Sequence, residues 1–230
     1  MKLSIIIPVY NEANTIAQIL EKVESVDFGM EKEIIIVDDF SSDGTREILL
    51  EYEGRYKIGY HEKNYGKGKA LRSGFDLVSG DFVVVQDADL EYDPNDLLNL
   101  LEKIKEPDVA VVYGSRRLHH NYLEARKSGH IFALGGIFLS WLTNLLYRTH
   151  ISDEPTCYKM FRANLLPELD LKCERFEFCP EFTAKVAKKG IKIHEVPISY
   201  YPRHKDEGKK INWKDGLEAV WTLLKYRFKK

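Results

Sequence analysis

The chain contains few cysteines, and their spacing excludes the common cysteine-based architectures. Its 230 residues include three, Cys157, Cys173 and Cys179, with no CxxC pair and no Cys/His spacing typical of a zinc site. An odd number of thiols without a regular framework is typical of a reduced cytosolic protein. The first residues lead directly into an apolar run that ends at Pro8 and Val9, which does not fit a signal peptide. We therefore expect a cytoplasmic protein.

The sequence also lacks a strong net charge and any linker-like segment. Its formal net charge is -2, so no overall field would attract nucleic acid, although the last third is locally basic. No Pro/Gly/Ser-rich tract, low-complexity segment or fixed-period repeat interrupts the alternating strand and helix patterns. These absences indicate a single domain spanning residues 1–230.

Long hydrophobic runs are missing as well. The uncharged stretch 131–147 has seventeen residues and includes Gly135, Gly136 and Ser140, whereas a spanning helix needs about 20 apolar residues. It fits a helix that lies partly in the core and partly at a lipid surface, with Trp141 and Tyr147 at the interface. An entirely buried core helix is the alternative. The basic end of the last helix, predicted over 213–228, suits either an anionic membrane surface or solvent.

Apolar runs bounded by turn residues predict a doubly wound α/β sheet. The predicted strands are residues 3–9, 33–37, 57–61, 82–85 and 108–113, and helical patterns lie between them. Ser42 or Asp43 is the expected cap of the second helix, and Val78 is included in the third. A polar, basic loop is expected over 116–127. Beyond it the patterns predict a short strand at 157–162, a helix at 180–189 ended by Gly190, and an edge or mixed strand within 192–200.

A carboxylate cluster follows the predicted buried strand of residues 82–85. Asp87, Asp89 and Glu91 come directly after it, and ligands of open α/β sheets gather at the carboxyl ends of strands. In an extended chain Asp87 and Asp89 would share a face, and Glu91 would continue it. Three oxygen ligands suit Mg²⁺ or Mn²⁺. The alternative is a solvated turn, which we accept for Asp93 at a helix start.

Other turns would meet this cluster at the same sheet edge. Asp38 and Asp39 end the second strand, either as site residues or as caps alone. The glycine-rich loop 64–70 lacks P-loop spacing, so its amides and lysines either approach an anion or form a flexible solvated turn. Arginines after strand five and at residue 203 add positive charge. Together these groups predict a metal-bridged diphosphate and group transfer from a nucleotide.

Four segments, in order, resemble the inverting family 2 glycosyltransferases of GT-A fold. They are PVYNE at 8–12, VDDFSSDGT at 37–45, NYGKGKA at 64–70 and QDADLEYDP at 86–94. Within that family the chain is most similar to dolichol-phosphate mannose synthases and polyprenyl-phosphate glycosyltransferases, over at least residues 3–203. The resemblance implies a Rossmann-like, mostly parallel sheet flanked by helices, with interfacial helices in the C-terminal half. It also implies one catalytic domain with a nucleotide-binding half at 1–115 and an acceptor- and membrane-facing half at 116–230.

The resemblance implies a role for each matching residue. The residues that match positions holding the base and ribose of the donor nucleotide are Pro8, Tyr10, Glu12 and Asp39. Asp87-Ala88-Asp89 matches the DxD motif, so Asp87 would be shared by nucleotide and metal, Asp89 would bind the metal, and Glu91 would be a third ligand. Lys69 would help to close the nucleotide pocket. Arg116 or Arg117, together with Arg203, would grip the donor diphosphate or the acceptor phosphate. Asp153 matches the acidic turn near the sugar, where relatives that use hydroxyl acceptors place a general base.

The implied reaction moves a hexose, of mannose or glucose type, from GDP-mannose or a UDP-sugar to a polyprenyl or dolichyl phosphate, with inversion and with Mg²⁺ or Mn²⁺. Alternatives are transfer to a glycan hydroxyl with Asp153 as base, a nucleotidyltransferase, and a nucleotide-sugar-binding protein without turnover. We expect no nucleic-acid partner. We expect a peripheral enzyme on the cytoplasmic face of the membrane, docked through 131–147 or held by a separate membrane subunit. The basic loop 203–210 departs from the branch, which usually carries Gly-x-Ser-Lys there.

Overall fold

The computed structural model describes residues 1–119, 130–203 and 213–229, without the side chains of 130–132. Seven strands within these residues form one sheet, and all of the predicted strands are present. They are β1 (Lys2–Val9), β2 (Glu31–Asp38), β3 (Lys57–Tyr60), β4 (Phe82–Val85), β5 (Val111–Ser115), β6 (Lys159–Arg162) and β7 (Ile193–Pro197). The order is β3-β2-β1-β4-β6-β5-β7, with β7 at an edge, as predicted.

The centre of the sheet is buried on both faces. Ile5, Ile6 and Ile7 of β1 are fully buried, because helices cover both sides of the parallel strands. β1 pairs in parallel with β2 along its whole length and with β4 on its other side. The turns that follow β1, β2 and β4 therefore lie at one edge of the sheet, which confirms the predicted arrangement of these strands.

The helices follow the predicted apolar periodicity. They are α1 (Ile16–Ser25), α2 (Thr45–Leu50), α3 (Lys67–Phe75), α4 (Leu97–Ile104), α5 (His130–Tyr147), α6 (Leu166–Leu169), α7 (Phe178–Lys188) and α8 (Trp213–Phe228). Gly190, at φ +71, follows the end of α7 as predicted. Two local predictions were wrong. Helix α3 ends at Phe75, before Val78, and the N-cap of α2 is Gly44 at φ +96 rather than Ser42 or Asp43.

Strand β6 changes the simple doubly wound arrangement. It lies between β4 and β5 and runs antiparallel to both, so β4 and β5 are not neighbours as a plain alternation of strands and helices would have them. Because β6 runs the opposite way, the residues that precede it lie at the same edge as the residues that follow β4 and β5. This topology brings the turn at Asp153 to the acidic edge of the sheet.

Helices α5 and α8 pack against each other and expose apolar side chains. The prediction that α5 is partly in the core is confirmed, because Ser140 and Thr143 are buried whereas Trp141 is 56% exposed. The alternative of an entirely buried helix was wrong. The hydroxyl of Tyr147 on α5 donates to the carbonyl of Leu223 on α8 at 2.6 Å. Other exposed apolar residues of the two helices are Leu134, Ile137, Phe138, Leu145, Trp213, Leu217, Trp221 and Phe228. Within the described residues, no helix has the length and apolar character needed to cross a bilayer.

Candidate nucleotide and metal site

The turns at the carboxyl edge carry unusual backbone conformations. One non-glycine residue with positive φ follows each of β1, β2 and β4, namely Asn11 (φ 50), Phe40 (φ 68) and Leu90 (φ 63). For a bulky residue such as Phe40 or Leu90 this conformation costs on the order of 1–3 kcal/mol and persists only where the surroundings impose it. Strain of this kind concentrates at binding sites and catalytic sites.

Hydrogen bonds join the first two turns to each other. The backbone N–H of Asn11 donates to Ser41 Oγ at 2.8 Å, and the N–H of Ser42 donates back to Asn11 Oδ1 at 2.8 Å. The N–H of Glu12 donates to Thr45 Oγ1 at 2.8 Å. The position of Glu12, a predicted donor-binding residue, is therefore fixed by the turn after β2.

Asp39 fastens the glycine-rich loop to the end of β2. Its carboxylate accepts the backbone N–H groups of Tyr65 at 2.9 Å and Gly66 at 2.7 Å, and it lies 2.6 Å from His61 Nδ1. Two later amides of the loop, those of Gly68 and Lys69, donate to the carbonyls of Arg175 and Glu174. These four amides already have protein acceptors. The loop is thus a packed connection at these amides, and the approach of its lysines to an anion stays a prediction.

The acidic turn, defined here as residues 87–93, follows β4, and residues 88 and 89 within it form a turn. The premise of an extended chain from Asp87 to Asp89 was therefore wrong. Asp87 instead forms an ion pair with Lys67, with Nζ and Oδ1 2.5 Å apart, and Lys67 also lies 3.5 Å from Cys157 Sγ. The sequence analysis named Lys69 and did not name Lys67. Lys67 is the first residue of α3, directly after Gly66.

Asp89 is a partly buried carboxylate with neighbours of like charge. Its Oδ1 accepts the N–H of Glu91 at 3.1 Å. Burial, followed by the negative charges of Asp87 and Glu91, raises the pKa of Asp89 to about 7. Over the part of the chain that the structure describes, no group of three His, Cys, Asp or Glu side chains is arranged to hold a metal ion. A magnesium-type ion is commonly bound by one or two carboxylates together with substrate phosphates, so Asp87 and Asp89 fit a metal shared with a diphosphate.

Arg203 crosses the site from the C-terminal part of the chain. Its Nη2 lies 2.9 Å from Glu12 Oε2, and its Nε donates to the carbonyl of Asp89 at 2.7 Å. Its backbone N–H donates to Glu91 Oε1 at 2.8 Å. The prediction that Arg203 joins the acidic edge agrees with this geometry. The rest of the predicted basic loop, residues 204–210, lies outside the described residues, as do residues 120–127 of the loop predicted after β5.

Arg116 and Asp153 form a buried ion pair beside this edge. Nε–Oδ2 and Nη2–Oδ1 are both 2.8 Å, and the backbone N–H of Arg116 donates to Oδ2 at 3.0 Å. Burial alone would raise the pKa of Asp153, but Arg116 outweighs it and holds that pKa below its ordinary value. Arg117 contacts the carbonyl of Ser152 and, at 3.4 Å, Ser140 Oγ of α5.

The predicted residues thus form three connected groups. Glu12, Asp89, Glu91 and Arg203 make up the centre, Asp87 pairs with Lys67, and Arg116 pairs with Asp153. Arg117 instead faces the junction with α5. The remaining predicted residues lie on the framework: Pro8 in β1, Tyr10 just after it, Asp39 against the loop, Ala88 buried in the acidic turn, and Lys69 in α3. Their predicted contacts with a donor stay predictions.

The fold and the edge just described define an α/β protein with acidic turns facing arginines across the carboxyl ends of its strands, an arrangement suited to a nucleotide with a diphosphate. The chain belongs to glycosyl transferase family 2, whose model matches residues 4–169. Its fold is the GT-A fold.

Relatives of known name cover most of the chain. It is 31% identical over 236 residues to a dolichol-phosphate mannosyltransferase of Pyrococcus furiosus, with 98% of this chain and 64% of that protein covered. It is 25% identical over 213 residues to a dodecaprenyl-phosphate galacturonate synthase of Rhizobium johnstonii, with 88% and 60% covered. The chain therefore spans less than two-thirds of either relative. An uncharacterized protein of Methanocaldococcus jannaschii is 30% identical over 237 residues, with 97% and 98% covered.

A solved structure shows the same fold. Glucosyl-3-phosphoglycerate synthase from Mycobacterium tuberculosis, in complex with Mn²⁺, UDP and phosphoglyceric acid, superimposes with a TM-score of 0.75. The superposition covers 100% of this chain and 79% of that chain, at 19% identity. At this identity the likeness establishes the fold.

Proposed function

We propose that the chain transfers a hexose from a nucleotide sugar to a polyprenyl or dolichyl phosphate, with inversion and with Mg²⁺ or Mn²⁺. The observation that carries the choice of acceptor is the ion pair of Asp153 with Arg116. A hydroxyl acceptor needs a base, and both oxygens of Asp153 are held by a guanidinium that lowers its pKa. A phosphate acceptor is already an anion and needs no base. Named relatives of the chain include polyprenyl-phosphate transferases.

The metal would be held by Asp87 and Asp89. When bound, it would supply Lewis-acid neutralisation of charge on the departing nucleoside diphosphate. The raised pKa of Asp89 supports this assignment, because excess negative charge in a partly buried turn is stabilised by a cation. Crystal structures of glucosyl-3-phosphoglycerate synthase, a protein of the same fold, contain Mn²⁺.

The remaining groups would bind, orient and neutralise. Pro8, Tyr10, Glu12 and Asp39, at the ends of β1 and β2, would hold the nucleoside, and Lys69 would help to close its pocket. Arg203 and Arg116 would face the phosphates, with Arg203 able to exchange its contact with Glu12 for a phosphate oxygen. An in-line displacement by a phosphate oxygen requires positioning and charge neutralisation more than proton transfer.

The exposed face of α5 and α8 suits a peripheral position on the cytoplasmic face of a membrane. Trp141 and Trp221 are 56% and 65% exposed, and tryptophan favours the interface between water and lipid. Lys225, Arg227 and Lys229 are exposed at the end of α8, where an anionic lipid surface would attract them. A separate membrane subunit seated on the same face is the alternative anchor.

We further propose one catalytic domain over 1–230, with nucleotide-binding and acceptor halves at 1–115 and 116–230, since strands from both halves form one sheet.

A donor and acceptor panel tests this function. The purified chain is incubated with UDP-glucose or GDP-mannose, Mn²⁺, and either a short polyprenyl phosphate or the matching polyprenol in detergent, and release of UDP or GDP is measured. We expect release that needs both Mn²⁺ and the phosphate acceptor and is lost in Asp89→Asn. Equal turnover with polyprenol would contradict the acceptor assignment. A donor present at 100 times its Kd should also stabilise the fold by about 2.7 kcal/mol; no stabilisation by either nucleotide sugar would contradict the donor class.

A further inference from the structure

The segment that enters the C-terminal half of the site is fastened to the acidic turn by a row of hydrogen bonds. This segment, residues 199–203, follows β7 and runs beside residues 89–96. The N–H of Ser199 donates to Asp96 Oδ2 at 2.7 Å, and the N–H of Tyr201 donates to the carbonyl of Glu91 at 2.9 Å. Two further bonds reach the side chain of Glu91. Glu91 is therefore the residue of the acidic turn with the most contacts to the segment.

Both carboxylate oxygens of Glu91 are engaged by this segment. Oε1 accepts the backbone N–H of Arg203 at 2.8 Å, and Oε2 accepts the hydroxyl of Tyr200 at 2.9 Å. Hydrogen bonds to a charged acceptor are stronger than those between neutral groups. Leu90, which lies between Asp89 and Glu91, has a positive φ of 63°.

The bond to Glu91 holds the backbone of Arg203 in place and so fixes the position from which its side chain extends. With its backbone N–H held by Glu91, the guanidinium extends over the carbonyl of Asp89 at 2.7 Å and reaches Glu12 at 2.9 Å. A cation held in this way has fewer conformations to lose when it meets an anionic ligand. The tyrosine rings support the same geometry, since Tyr200 packs on Tyr92 with ring centroids 5.5 Å apart.

We propose that Glu91 is a positioning residue, which fastens Tyr200–Arg203 to the acidic turn and thereby aims Arg203 into the site. The fastening stands on the contacts alone. The benefit to an incoming diphosphate rests on the proposed function. The experiments below separate the two.

Amide hydrogen exchange tests the fastening without any ligand. In Glu91→Ala, measured by NMR on the whole chain, the Arg203 amide should exchange at least about tenfold faster, as expected for a lost bond to a charged acceptor. The Tyr201 amide donates to the Glu91 backbone and should change by less than about threefold, since that bond is backbone-to-backbone and survives the substitution. Asp93→Ala is the matched control. It also removes a carboxylate from the acidic turn, but this carboxylate accepts the N–H of Asn95 and makes no bond to the segment 199–203. An unchanged Arg203 amide in Glu91→Ala overturns the proposal.

Two milder variants test the same hydrogen bonds if Glu91→Ala does not fold. Glu91→Gln retains an acceptor oxygen for the Arg203 N–H and should keep its amide protected. Tyr200→Phe removes one of the two side-chain bonds and leaves the acidic turn intact, so its Arg203 amide should exchange at an intermediate rate. A Tyr200→Phe amide that behaves as in the wild type would show that the segment is held by other contacts and would contradict the proposal.

Nucleotide binding tests the positioning step. The affinities of UDP and of GDP, each with Mn²⁺, are measured by calorimetry for Glu91→Ala, Arg203→Ala and the double variant. If Glu91 acts through Arg203, Glu91→Ala should weaken binding about tenfold alone and should add no further loss in the Arg203→Ala background. Additive losses in the double variant would show that Glu91 does not act through Arg203 and would overturn the proposal. If neither nucleotide binds the wild type, the proposed function fails while the exchange result still stands.

Discussion

Arg116 and Asp153 form a two-pronged ion pair, with both nitrogen–oxygen distances at 2.8 Å and a third bond from the Arg116 backbone. The carboxylate is buried, and the ring of Tyr200 lies 5.0 Å from the guanidinium carbon. The pair joins the end of β5 to the turn that precedes β6. It thus holds the inserted antiparallel strand to the carboxyl edge of the sheet, and it neutralises the carboxylate that the resemblance suggests as a base.

Asp153→Asn should destabilise the fold by about 3–5 kcal/mol, because it leaves the guanidinium of Arg116 buried without its counter-charge. Urea unfolding measures this loss. Asp108→Asn, at an exposed position, is the control and should change stability by less than about 0.5 kcal/mol. Since the folded-state pKa of Asp153 is lowered, its contribution is present above the ordinary carboxyl pKa and is lost as pH falls through the folded value. A pH-independent difference between the two proteins would contradict the assignment.

Metal affinity should rise with pH through about 7, because Asp89 must lose its proton before it binds a cation. Calorimetric titration of Mn²⁺ in the presence of GDP or UDP, between pH 6 and 8, measures this. The variant Asp89→Asn should bind at least about 100-fold more weakly and lack the pH dependence, since the loss of an outer-shell partner alone costs 10–100-fold.

The contribution of Asp89 to the free energy of unfolding of the metal-free protein should fall as pH rises, whereas metal affinity rises. A raised folded-state pKa stabilises the protonated form, so the contribution of Asp89 is present below its unfolded pKa and is lost as pH rises toward 7. Thermal unfolding of the metal-free protein should therefore show a difference between the wild type and Asp89→Asn that grows in favour of the variant from pH 4 to 7. A constant difference would show that the pKa of Asp89 is not raised.

Lys67→Met should lower metal-free stability by up to about 3–5 kcal/mol, because Asp87 loses its partner at 2.5 Å. Mn²⁺ with a nucleoside diphosphate should recover part of this loss, since a cation then neutralises the same carboxylate. The measurement is the thermal shift on adding both ligands, which should be larger in the variant than in the wild type. Lys22→Met, an exposed substitution on α1, serves as the control. A smaller shift in Lys67→Met would mean that Lys67 itself binds the ligand.

Trp141→Glu together with Trp221→Glu should abolish flotation with anionic vesicles, because each places a charge on the exposed face of α5 and α8. Leu77→Glu changes a 41%-exposed apolar residue that follows α3 and should leave flotation unchanged. Binding of the wild type should also weaken as salt is raised, since the basic residues of α8 contribute about 1 kcal/mol each near an anionic surface. Wild-type protein that stays in solution with every vesicle would favour a protein subunit as the anchor.

The sequence predicted the strands and their acidic ends well, because burial on both faces produces continuous apolar runs such as residues 5–7 and 82–85. It did not predict that β6 separates β4 from β5, since a four-residue antiparallel strand carries too little pattern to show its partners. The path of the acidic turn also escaped it, because nothing in a leucine at position 90 indicates a positive φ. Arg203 was expected at the acidic edge, but its contact with Glu12, 191 positions away in the chain, was not predicted, because local patterns do not specify long-range partners.

The hydrogen bond from Tyr147 to the carbonyl of Leu223 has a consequence for how strongly the chain would hold to a surface. Two short amphipathic helices that moved independently would each contribute a weak and transient attachment. Because α5 and α8 are joined, arrival of one helix at the proposed surface would place the other at high effective concentration there, and the attachment would act as a bivalent one. Weakening this single hydrogen bond in Tyr147→Phe would then reduce avidity without removing any surface-facing side chain.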